Sequence, residues 1–86
     1  MFYKYVELED GTTVVHSEVR ADGSVVVEAE RPAILDFDTA RWVLPSYDLS
    51  NVRGFTEEEV KGLTQFVRNN AQLILKFAQE ESREYA

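Results

Sequence analysis

The chain has 86 residues, enough for one domain but only a thin core, since a chain this short hides only about 60–65% of the surface it exposes when unfolded. It contains no cysteine, which excludes a disulfide scaffold, a thiolate zinc site and a cysteine nucleophile. Sixteen acidic against nine basic residues give a net charge of −7. The basic residues are scattered singly, so direct binding to nucleic acid through a cationic patch is not expected.

The first thirty residues read as strands at about 2–9, 12–20 and 24–31. They are rich in Val, Tyr and Thr and are separated by Asp10-Gly11 and Asp22-Gly23, and Asp-Gly between such runs is a strong hairpin signal. A two-residue loop at Asp10-Gly11 pairs Val6 with Val15 and Phe2 with Val19. A three-residue loop at Ala21-Asp22-Gly23, with Gly23 left-handed, then adds Val25, Val27 and Ala29 to the same core face. The opposite face carries Tyr3, Tyr5, Val14, His16, Val26 and Glu28. Tyr3, Tyr5, Val14 and Val26 side by side make it a candidate interface rather than a fully solvated surface.

Arg31-Pro32 ends this meander, because proline cannot donate to a ladder. A fourth strand is expected within 33–44, with Ala40, Trp42 and Leu44 alternating to one side, and residues 45–55 are expected to pack as a structured loop.

A helix follows over about 57–83. Thr56 and Glu59 form a capping box, with Phe55 and Val60 as its hydrophobic staple and Glu57, Glu58 and Glu59 suiting the dipole of the first turn. The apolar arc of this helix spans roughly 200°, about twice what a one-sided amphipathic helix needs. At 1.5 Å per residue it is about 42 Å long, more than a small sheet can cover. Phe66, Leu73 and Phe77 are therefore interface candidates. Asn70 falls inside the apolar arc, where an amide without partners costs roughly 1–3 kcal/mol. It is expected to clamp the 45–54 backbone or, alternatively, to fix register at an oligomer interface.

Little in the chain points to chemistry. The single histidine, His16, reads as a partly exposed strand residue opposite Tyr5 and beside Glu28, with no nucleophile in reach. Asp36 and Asp38 could share a cation, but they lack further oxygen ligands and suit a turn equally well. There is no phosphate loop, paired-histidine helix or nucleophile elbow. No catalytic residue, metal site or cofactor is expected, and the chain is not read as an enzyme. No apolar run approaches the ~18–20 residues of a membrane span. The N-terminal stretch turns acidic by its seventh residue and has no apolar signal-peptide core. With the lack of cysteine, this suggests a cytoplasmic protein.

The succession of three strands, RPAILDFDTARWVLPSY, GFTEEEV and a helix containing NNAQLILKFA resembles a group of small bacterial proteins to which no activity is assigned. A fainter likeness is to HicB-like antitoxins, which pair a three-stranded meander with a Leu-Pro element and a helix opened by Gly, Thr and Glu. Leu44-Pro45, Gly54, Thr56, Glu58 and Glu59 carry that likeness, and Pro45-Ser46 departs from the Pro-Gly usual there. The expected fold is α+β, an antiparallel meander of three to four strands packed against one long C-terminal α-helix. The expected role is a non-catalytic interaction module that forms a homodimer. The alternative is an antitoxin-type or nucleic-acid-mimicking inhibitor whose acidic surface takes a basic toxin or nuclease as partner.

Overall fold

The computed structural model describes residues 1–83. Five strands, β1 (Phe2–Glu7), β2 (Thr13–Ser17), β3 (Val25–Pro32), β4 (Phe37–Leu44) and β5 (Asp48–Arg53), precede one helix, α1 (Glu57–Arg83). The strands form a single antiparallel sheet in the order β1-β2-β3-β4-β5, with α1 packed on one face. The fold is thus the expected α+β meander and helix, with five strands rather than three or four. The extra strand is β5, within the stretch expected to be a loop. Every residue of β5 is exposed, so it lacks the apolar alternation that marks a half-buried strand. Backbone pairing with β4 defines it instead.

Turn chemistry sets the hairpins. Gly11 and Gly23 both take positive φ, as expected for Gly23. Asp10 Oδ1 accepts the Thr12 N–H at 2.9 Å, and Asp22 Oδ1 accepts the N–H and hydroxyl of Ser24; each aspartate closes a local turn that competes with the ladder.

Register differs from the expectation on both sides of β2. The first hairpin closes with the Leu8 N–H on the Thr12 carbonyl, around the three residues Glu9-Asp10-Gly11 rather than the expected two, so Val6 meets Val14 and not Val15, and Val14 also lies opposite Ala29. A further shift lies within β1. Phe2, Tyr3 and Lys4 pair with Ser17, His16 and Val15, whereas Val6 pairs with Val14, so Tyr5 is an extra residue. Such a bulge lets neighbours face the same way. Tyr3, Tyr5 and Val6 all turn toward α1, and β2 presents Val14 and His16 to the helix instead of Val15. The inward sets of β3 and β4 are the expected ones: Val25, Val27 and Ala29 lie across from Leu44, Trp42 and Ala40, and all six are buried.

These residues form the core with Val14, Phe55, Leu63, Val67, Ala71, Ile74 and Ala78. The helical members recur at three- and four-residue spacing and so share one face. Two polar links on the β4 side fix how α1 lies: Trp42 Nε1 donates to Thr64 Oγ1 at 2.9 Å, and the Arg68 guanidinium sits 4.2 Å over the Tyr47 ring.

Candidate functional site

The start of α1 is tied to the sheet by one arginine. The capping box forms as expected: Thr56 N–H donates to Glu59 Oε1 at 2.9 Å, and Glu59 N–H donates to Thr56 Oγ1 at 3.1 Å. Glu59 also takes the Arg31 guanidinium at 2.5 Å, and Arg31 reaches Asp38 at 2.7 Å and Asp10 at 3.2 Å. The same guanidinium lies 4.7 Å above the Phe55 ring. Hydrogen bonds from Arg31, then from the Thr56 N–H, bring the Glu59 carboxyl down to about 2. Those to Glu59 and Asp38 raise the Arg31 guanidinium further. The Thr12 N–H, more than Arg31, lowers Asp10. Three carboxylates around one guanidinium form a closed brace between the sheet and the first turn of the helix.

Away from the brace, the side of α1 that faces β1 carries a partly open apolar band. The Tyr5 ring lies 6.4 Å from Phe66 and 6.0 Å from Phe77, at tilted or edge-on angles. The Tyr5 hydroxyl donates to Asn70 Oδ1 at 2.7 Å, and Asn70 Nδ2 donates to the Phe66 carbonyl at 2.8 Å. Asn70 therefore clamps the edge strand β1 and not the 45–54 backbone. Beside it, Leu73 is 49% and Phe77 38% exposed.

The sheet candidates do not form one surface. Tyr3 and Tyr5 lie on the helix side. Val14 is enclosed in the core, which withdraws it from any interface, because it pairs with Val6 and Ala29 on the face that α1 covers. Val26 lies on the opposite face, buried across from Val43, with its N–H taken by Ser17 Oγ at 3.0 Å. Four candidates remain together on the β1 flank: Tyr5, Phe66, Leu73 and Phe77.

His16 is buried on the helix side, not partly exposed. Its cross-strand partners are Tyr3 and Val27, its Nδ1 lies 2.8 Å from the Ser17 carbonyl, and Glu28 pairs instead with Arg41 on the other face. Asp36 and Asp38 are separated by their partners, Arg53 and Arg31. No cluster of three or more His, Asp or Glu side chains that could hold a metal ion occurs among the described residues. No helix among them is long and apolar enough to cross a membrane.

Sequence reasoning missed the β3–β4 hairpin tip. Ile34 is 100% and Leu35 97% exposed there, and Phe37 is half-exposed next to them. Two bare aliphatic residues in a tight turn could have been noticed from the sequence alone, because such turns favour Gly, Asn, Asp and Ser. Comparison with protein-family models, curated proteins and solved structures found no match.

Proposed function

We propose that this protein is a non-catalytic interaction module that associates with itself as a homodimer, through the flank where β1 meets α1. The observation that carries the reading is the exposure of Leu73 and Phe77 beside the half-covered Tyr5 and Phe66. Apolar area removed from water gains about 25 cal/mol per Å², and contiguous apolar patches on small soluble proteins mark contact surfaces. The edge of β1 is a poor site for adding a strand, because the bulge at Tyr5 interrupts its ladder. That favours docking through side chains of the helix flank. Arg31, Asp38 and Glu59, and likewise Asp36 and Arg53, are engaged with each other in ion pairs.

Sedimentation equilibrium at high micromolar concentration tests the reading. The expected result is a mass near twice 9.9 kDa for the unaltered chain and a monomer for Leu73→Glu with an unchanged melting temperature. A monomeric unaltered chain would overturn it and favour an acidic inhibitor that docks on a basic partner.

A further inference from the structure

Folded back on itself, the exposed strip of α1 matches itself. Gly62 and Phe77 stand equally far on either side of the Asn69–Asn70 bond, and so do Phe66 and Leu73. We propose that two copies meet along this strip in an antiparallel, two-fold arrangement, with the Phe77 ring of each copy seated over Gly62 of the other. The proposal rests on the self-association argued above and names its geometry.

Gly62 is the pivotal residue. It lies in the helix interior, where glycine is weaker than alanine. A Cβ built there would meet nothing within 4 Å. Gly11, Gly23 and Gly54 are each explained by positive φ, but nothing within one copy calls for glycine at 62. A bulky ring from outside would, because bare helix backbone lets a partner side chain approach closely. At 100° per residue, Gly62, Phe66, Asn69, Leu73 and Phe77 fall within an arc of roughly 80°, narrow enough to meet one partner helix.

Direction follows from the order of these residues. In the antiparallel arrangement glycine opposes phenylalanine, Phe66 opposes Leu73, and the Asn69 side chains of the two copies meet at the centre. Each contact then occurs twice, as a two-fold interface requires. A parallel arrangement would oppose Gly62 to Gly62 across a void and would stack the three first-turn glutamates of one copy on those of the other. In the antiparallel seam Glu80 comes opposite Glu59, whose charge Arg31 already holds. Lys76 lies one turn from the same glutamate.

The test compares the unaltered chain with Gly62→Leu, Asn69→Cys and Glu58→Cys, the last two carrying the single thiol in an otherwise cysteine-free chain. Gly62 faces open space, so Gly62→Leu should fold with an equal or higher melting temperature while its dimer weakens by about tenfold or more. Asn69→Cys should link into a covalent dimer under mild oxidation. Glu58→Cys should not, because its two copies would stand roughly 35 Å apart along the seam. A dimer of undiminished affinity in Gly62→Leu, or ready linkage through Glu58→Cys, overturns the antiparallel seam and leaves self-association standing. A monomeric unaltered chain removes self-association and the seam with it.

Discussion

The Tyr5 hydroxyl donates to Asn70 Oδ1 at 2.7 Å, joining a strand and a helix across 65 positions of sequence. It is the polar tether that holds the bulged edge strand to the helix, and Asn70 is oriented for it by its second bond, to the Phe66 carbonyl one turn back. Tyr5→Phe should cost about 0.5–1.5 kcal/mol, the usual net worth of one hydrogen bond. Asn70→Leu should cost about 1–3 kcal/mol by leaving the tyrosine hydroxyl without its partner. Denaturant midpoints measure both losses. Amide exchange should speed up in β1 and stay unchanged in residues 45–54; faster exchange confined to 45–54 would sink the assignment.

The brace at the start of the helix makes stability depend on pH in a stated direction. Glu59 titrates near 2 in the folded chain against an ordinary 4.5, so the unfolded chain binds the proton more tightly. Its contribution is complete above about pH 4.5 and disappears as pH falls toward 2. Glu59→Gln keeps a side chain able to cap but removes the charge, so its melting temperature should fall less steeply than that of the unaltered chain over this window. Equal slopes would show that Arg31 does not hold Glu59 in solution. Thr56→Ala, which removes the other half of the capping box, should lower stability by ~1 kcal/mol with the denaturant slope unchanged.

Gly54 leads into the helix with a φ of 85°, and a Cβ there would overlap the Asp38 carboxylate. Gly54→Ala should therefore cost about 2 kcal/mol or more, combining left-handed strain with displacement of an Arg31 partner. A thermal melt indistinguishable from that of the unaltered chain would refute the close approach.

Ile34 and Leu35 contribute no burial at the hairpin tip. Replacing both by serine should change stability by no more than about 0.5 kcal/mol and leave the sedimentation mass unchanged. A clear loss of stability would mean that the tip folds back onto the body of the protein.

What could be read in the sequence was whatever local chemistry specifies. Thr56 and Glu59 announce the helix start because each satisfies the other's backbone, and Ala40, Trp42 and Leu44 announce β4 because burial alternates. Gly23 was legible because its turn needs a left-handed residue. The orientation of Val14 and His16 was not, since it depends on the first hairpin closing at Leu8 and Thr12 and on Val14 and His16 lying opposite Ala29 and Val27, one position off the expected register. A bulge has no signature in the alternation of Tyr3, Tyr5 and Glu7. Nor was β5 legible: its side chains are exposed, and Asn51 takes a left-handed φ of 52° beside a second register shift opposite β4. The partner of Asn70 escaped for a simpler reason, because its place in the apolar arc says that it is satisfied but not by what.

The two register shifts lie in β1 and β5, the outermost strands. A sheet with an even, unbroken rim offers the next molecule a template, and growth of that kind has no natural end. Here each rim is interrupted by an extra residue, so stacking strand on strand into a fibre is obstructed at both ends of the sheet. A concentrated solution should accordingly stay clear and fail to bind amyloid dyes, even where chains crowd together.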